Sequence, residues 1–121
     1  MKKIMLVDDS PTILLSISSI LAKAGYSVEQ APCAEDALAK LEAGLLIDLL
    51  ITDLNMPGMS GIDFIKAVRA LAKFKFLPIL FLTTESQQST RAEAKAAGAS
   101  GWLVKPVAAE DLLGSIKLLM R

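Results

Sequence analysis

There is no histidine in these 121 residues. Imidazole is therefore excluded as a general base, as a metal ligand and as a phosphorylated group on this chain. Cysteine occurs once, at Cys33, so the chain forms no internal disulfide and no Cys-rich metal site. That usage fits a reducing compartment, the cytoplasm. Neither sign of charge is in excess, with 13 Lys+Arg against 13 Asp+Glu. A chain that grips nucleic acid through its phosphates carries a basic surplus, so direct DNA or RNA binding is disfavoured. No apolar stretch approaches the roughly 18 residues that span a bilayer. The run Ile4-Met5-Leu6-Val7 is too short for a signal-peptide core and meets two aspartates at once. No membrane insertion is expected. Linker-like tracts, internal repeats and low-complexity segments are also missing.

What is present is a core. Hydrophobic residues make up 53% of the chain and charged ones 21%, a balance that folds rather than staying disordered. The length suits one domain over 1–121. Four short apolar runs end in functional groups. Ile4-Met5-Leu6-Val7 meets Asp8-Asp9, and Leu49-Leu50-Ile51-Thr52 meets Asp53. Ile79-Leu80-Phe81-Leu82 meets Thr83-Thr84, and Gly101-Trp102-Leu103-Val104 meets Lys105-Pro106. Runs of this kind, bounded by polar and turn residues, read as buried parallel strands.

Helical patterns lie between them. Ser10-Pro11 is a cap with a first-turn proline, followed by Leu14, Ile17 and Leu21 at helical spacing until Gly25. Of the adjacent Leu14 and Leu15, one is expected to be partly exposed. Residues 26–30 read as a less buried strand, and residues 34–43 as an Ala- and Leu-rich helix behind Cys33, with Gly44 after it. The turn-rich Met56-Pro57-Gly58-Met59-Ser60-Gly61 loop precedes a third helix over 62–73. Its inner stripe is Ile65, Val68 and either Leu71 or Ala72. A polar helix over 86–97 and a last helix with Leu112, Leu113, Ile116 and Leu119 on one face complete five β/α units. Met56 and Met59 read as loop packing, since no other soft ligand accompanies them.

Strands alternating with helices predict an α/β fold: a doubly wound, five-stranded parallel sheet of order 2-1-3-4-5, flavodoxin-like. In that order the first and third strands are neighbours, so Asp8, Asp9 and Asp53 meet at the switch point. Ligands in such sheets bind beyond the carboxyl ends of the strands. Clustered carboxylates repel unless a cation joins them, and an oxygen-only donor set suits Mg²⁺, with Mn²⁺ an alternative.

Val7-Asp8-Asp9-Ser10, the stretch from Thr52 through Asp53 to Gly61, Leu82-Thr83-Thr84 and Gly101-Trp102-Leu103-Val104-Lys105-Pro106 occur in this order from end to end. Together they resemble the receiver domain of two-component response regulators, the chemotaxis type in particular. The resemblance implies that Asp53 accepts a phosphoryl group from a phosphohistidine on a histidine kinase or phosphotransfer protein. It implies Mg²⁺ on Asp9, Asp53 and the Asn55 backbone carbonyl, with Asp8 acting through metal-bound water. Lys105 would pair with a phosphoryl oxygen, across a cis bond to Pro106. Thr83 and Trp102 would form the switch, altering the face of the fourth helix, fifth strand and fifth helix where downstream targets dock. Trp102 departs from the Tyr or Phe more common in the family. Asn55 and Glu85 would tune the lifetime of the phosphoaspartate, and this pairing resembles fast-resetting regulators.

Motor control, phosphorelay and phosphate-sink roles fit the same residues. So does a receiver belonging to a longer regulator, although the absence of a linker-like tail favours a stand-alone protein. An aspartyl phosphohydrolase similar to the haloacid dehalogenases needs Asp-x-Asp after the first strand, and Asp8-Asp9-Ser10-Pro11 lacks it. A flavin module needs a Gly/Ser/Thr-rich loop there, and Ser10-Pro11-Thr12-Ile13-Leu14 has no glycine.

Overall fold

Successive side chains along the strands face opposite layers of the molecule. The computed structural model describes residues 1–84 and 88–120. Strands β1 (Lys3–Val7), β2 (Ser27–Ala31), β3 (Leu49–Asp53), β4 (Ile79–Thr83) and β5 (Gly101–Val104) pair in parallel, in the order β2-β1-β3-β4-β5. Helices α1 (Pro11–Lys23), α2 (Ala34–Glu42), α3 (Gly61–Ala70), α4 (Gln88–Ala97) and α5 (Ala109–Leu119) alternate with them. The order is the one read from the sequence. Met5, Val7, Leu50, Ile79 and Phe81 face one layer, where they meet Ala37 and Leu41 of α2, Phe64 and Val68 of α3 and Ala94 of α4. Their neighbours Ile4, Leu6, Leu49, Ile51, Leu80 and Leu82 face the other, against Ile17 and Leu21 of α1 and Leu112 and Ile116 of α5. A central strand buried on both faces needs an unbroken apolar run, and β1, β3 and β4 have one.

Local chemistry sets the helix starts. The Ser10 hydroxyl accepts from the Ile13 N–H at 3.3 Å, with Pro11 at the first helical position. The Ser60 hydroxyl accepts from the Asp63 N–H at 3.2 Å and opens α3. Cys33 stands at the N-cap of α2 with no side-chain cap bond. Leu15 is 73% exposed while Leu14 packs partly on the core. No described helix is long and apolar enough to cross a membrane.

Three readings shift, and one falls outside the described residues. β2 runs one residue later than expected, and Ala31 is its buried member. β5 is an edge strand, and Leu103 is its one buried residue, because no described strand pairs beyond it. The expected helix start at Ser86 lies outside the described residues. The third helix ends early, at Ala70. Leu71 is extended (φ −80°, ψ 122°) and a 3₁₀ turn follows at Ala72–Phe74. Good helix formers occupy 70–73, so propensity is overridden by packing. The turn swings Phe74 and Leu77 into the core beside α3, with Leu71 partly buried and Ala72 exposed. Arg69 holds it there. Its Nη1 donates to the Phe74 carbonyl at 2.9 Å, while its Nε and Nη2 donate to the Gly98 carbonyl at 3.1 and 2.7 Å, just past α4.

Candidate functional site

The strand register delivers the functional groups to one edge of the sheet. Val7 pairs with Thr52, Asp53 with Leu82, and Thr83 with Val104. Asp8, Asp53, Thr83 and Lys105 therefore emerge side by side at the carboxyl ends of β1, β3, β4 and β5. Asp8, Asp9 and Asp53 each offer an oxygen within 4.8 Å of the others. Asp8 and Asp53 are buried, and Asp9 is exposed at the mouth.

Each buried carboxylate is held on one oxygen. Asp8 Oδ1 accepts from the Ser10 N–H at 2.9 Å. Asp53 Oδ1 accepts from the Leu54 N–H at 2.8 Å and lies 3.2 Å from Lys105 Nζ. The same ammonium lies 3.4 Å from Asp8 Oδ2. That contact is an ion pair without hydrogen-bond geometry, and Asp8 Oδ2 is buried with no hydrogen-bond donor among the described residues. Burial raises the Asp8 pKa above the ordinary 3.8. The Ser10 N–H opposes the shift, the Asp53 charge adds to it, and Lys105 relieves part of it. One ammonium thus faces two buried carboxylates with a third nearby. An oxygen-only donor set with a buried oxygen in need of a partner fits a hard divalent cation. Asp8, Asp9, Asp53 and the Asn55 backbone could supply its ligands.

The floor of the site depends on a close backbone approach. The Gly61 N–H donates to the Leu54 carbonyl at 2.9 Å, closing the loop after β3. A Cβ at Gly61 would overlap the Asp53 carbonyl oxygen and lie 2.5 Å from Leu54 Cα. Only glycine permits this return.

Thr83 is buried, and its Oγ1 donates to the Thr84 carbonyl at 3.2 Å. The Lys105 N–H donates to the Thr83 carbonyl at 2.8 Å, linking the two strand ends, and the Lys105–Pro106 bond is cis. Trp102 is 39% exposed. Its ring stacks on Phe81, its register partner, at 6.2 Å between centroids. Arg91 and Lys95, one turn apart on α4, lie 5.7 and 5.2 Å from the ring centroid, within cation–π range. Asn55 is exposed beside the cluster, and Glu85 lies outside the described residues. The sequence offered no signal for Glu35, whose carboxylate accepts from the Met59 N–H across 24 residues. Arg91 and Lys95 had only their i, i+4 spacing on a polar helix.

Comparison with known proteins places the fold in a family. The family described as the response regulator receiver domain matches residues 4–117. The chain is 40% identical to the chemotaxis protein CheY of Pseudomonas aeruginosa, over 95% of this chain and 93% of that one. It is 36% identical to CheY1 of Helicobacter pylori, covering 98% and 96%. The structure of the chemotaxis protein CheY4 of Vibrio cholerae superposes with a TM-score of 0.93 at 46% identity, covering 98% of both chains. With that match running nearly from end to end, and with the acidic cluster, the threonine and the lysine at four neighbouring strand ends, this chain belongs to the response regulator receiver domain family.

Proposed function

We propose that this protein is a phosphorylation-switched signalling receiver of the chemotaxis type, and that Asp53 is its phosphoacceptor. The observation that carries the reading is the placement of Asp53. It is a buried carboxylate at a strand end, with Lys105 Nζ 3.2 Å away and two further acids within 4.8 Å. The donor is a phosphohistidine on a histidine kinase or phosphotransfer protein. Asp53 Oδ1 is fixed by the Leu54 N–H and Lys105, which leaves Oδ2 to attack phosphorus. The P–O bond to Asp53 forms as the P–N bond breaks, and the imidazole leaves with the bonding pair. Phosphoryl transfer of this kind is mainly positioning and charge stabilisation.

Mg²⁺, held by Asp9, Asp53 and the Asn55 carbonyl with Asp8 acting through water, would neutralise the anionic nucleophile and phosphoryl group as they approach. Lys105 adds a compact positive charge, already oriented by Asp8 and Asp53. Thr83 Oγ1 turns from the Thr84 carbonyl to the phosphoryl group. Trp102 responds on the neighbouring strand and alters the face formed by α4, β5 and α5, where a target protein docks. Asn55 and Glu85 set how readily water hydrolyses the phosphoaspartate, and the expected signal is short-lived. The chain turns over no external product.

Intact-mass spectrometry after incubation with acetyl phosphate and Mg²⁺ tests this reading. One phosphoryl group should be gained, and it should be absent from Asp53→Asn and from metal-free samples. No gain from either acetyl phosphate or a phosphorylated kinase, with the fold intact by circular dichroism, would refute it.

A further inference from the structure

The loop over 56–60 leaves the site directly after Asn55 and returns to it at Gly61. Several of its anchors belong to the β3–α3 unit itself: the Gly61–Leu54 hydrogen bond, the Ser60 cap on Asp63, and Met56, which is buried in the core. Another comes from a different part of the chain. Glu35, in the first turn of α2, accepts from the Met59 N–H at 3.0 Å. Gly58 next to it adopts φ +78°, and a Cβ there would run into the Glu35 carboxylate. The loop backbone therefore closes directly onto this side chain. Hydrogen bonds from its own backbone N–H and from Met59 hold the Glu35 carboxyl below its ordinary range, and the N-terminus of α2 favours the same charged form. The bond to Met59 is thus charge-assisted, the stronger class of hydrogen bond.

We propose that Glu35 is a positioning residue for divalent-cation binding: by holding Met59 it fixes the 56–60 loop, and so the direction of the Asn55 backbone beside the Asp8–Asp9–Asp53 cluster. The inference rests on the metal-site reading above. A side-chain ligand is aimed by its own rotamer and packing. A backbone carbonyl has neither and takes its direction from the chain on either side. On one side of Asn55 is the buried strand end at Asp53. On the other is a loop whose tie outside its own β/α unit is Glu35. Residues that orient ligands from behind commonly change metal affinity by about 10- to 100-fold. Glu35 is solvent-exposed, and water can replace part of its bond, so the low end of that range applies.

The test is calorimetric titration of Mg²⁺ into the wild type, Glu35→Gln and Glu35→Ala, with hydrogen–deuterium exchange followed at the Met59 amide. Gln keeps an acceptor oxygen at the same reach, and Ala keeps none. Glu35→Ala should bind Mg²⁺ roughly tenfold more weakly and exchange the Met59 amide faster, while Glu35→Gln restores most of both. Wild-type affinity in Glu35→Ala despite fast Met59 exchange would overturn the proposal. Equal loss in Gln and Ala would overturn it as well, since charge alone would then be acting. If the wild type binds no Mg²⁺, the metal-site reading fails and the positioning role falls with it. The Met59 exchange data would still report separately whether Glu35 holds the loop.

Discussion

Replacing Gly61 by alanine should damage both stability and phosphorylation, whereas the same change at Gly114 should do neither. The Gly61 Cβ would lie 2.5 Å from Leu54 Cα and 3.1 Å from the Asp53 carbonyl carbon. Carbon atoms rest at about 3.5–4.0 Å, so something must move by about 1 Å. The obstructing atoms are backbone, and no side-chain rotation relieves them. Overpacking of this type costs about 1–3 kcal/mol. The lower chain entropy of alanine in the unfolded state offsets up to about 1 kcal/mol. The net expectation is a loss of about 1–2 kcal/mol, or a fall of about 4–8 °C in Tm for a domain of this size. The displaced atoms carry Asp53, and a misplacement of about 1 Å can slow chemistry by about 100-fold. Gly114 lies inside α5 with nothing within 4 Å of a Cβ. Alanine there should stabilise by about 0.8–1 kcal/mol through helix propensity alone. Thermal melts by circular dichroism and the rate of labelling from acetyl phosphate measure the two effects. A Gly61→Ala protein with wild-type Tm and rate would refute the argument that this close approach supports the site.

Other perturbations follow from the same geometry. The Asp8 carboxyl has a folded pKa above 3.8, so the folded state keeps a proton that the unfolded chain has already lost. In metal-free buffer its contribution to stability should be full below 3.8 and decline as pH rises through the folded pKa. Asp8→Asn should flatten that decline in urea melts across pH and stabilise the metal-free protein at neutral pH; an unchanged slope would count against it. Arg69→Met removes the donors to Gly98 and Phe74 and should cost about 2–3 kcal/mol, read as a shift in urea midpoint; a shift below about 0.5 kcal/mol, the range of ordinary surface changes, would remove its structural role. Lys105→Met removes the ammonium that faces Asp53 and should slow labelling from acetyl phosphate while circular dichroism shows the fold retained; a wild-type labelling rate would remove its role in transfer. Trp102→Phe tests the indole directly, because unchanged partner binding and unchanged phosphorylation dependence would mean that it has no specific role.

The parts legible in the sequence share a physical cause. Parallel strands buried on both faces need unbroken apolar runs, so β1, β3 and β4 stand out, and the doubly wound order follows from the count and alternation of elements. Asp8, Asp53, Thr83 and Lys105 were readable because each ends a strand, and the topology alone collects strand ends. The contacts that escaped are those made by long side chains reaching between elements. Arg69 spans 29 residues to Gly98, and Glu35 spans 24 to Met59. Neither interval has a periodic signature. The early end of α3 escaped for a related reason, because a buried Phe74 and a guanidinium outweigh the helix propensity of the residues between them.

The Arg69 bridge would let the N-terminal part of α4 act as a lever. Its guanidinium grips the Gly98 carbonyl with two nitrogens and fastens the helix at its C-terminal end. A rod pinned at one end moves in proportion to distance from the pin. At about 1.5 Å per residue, Lys95 lies about 4.5 Å from the pivot and Arg91 about 10 Å. A tilt of about 10° would then carry Arg91 through about 2 Å but Lys95 through less than about 1 Å. The two cations over Trp102 would therefore separate in order, with Arg91 leaving the ring first and Lys95 staying with it. Small rotations would be graded rather than all-or-none in their effect on the indole, and the length of helix beyond the pin would set the gain.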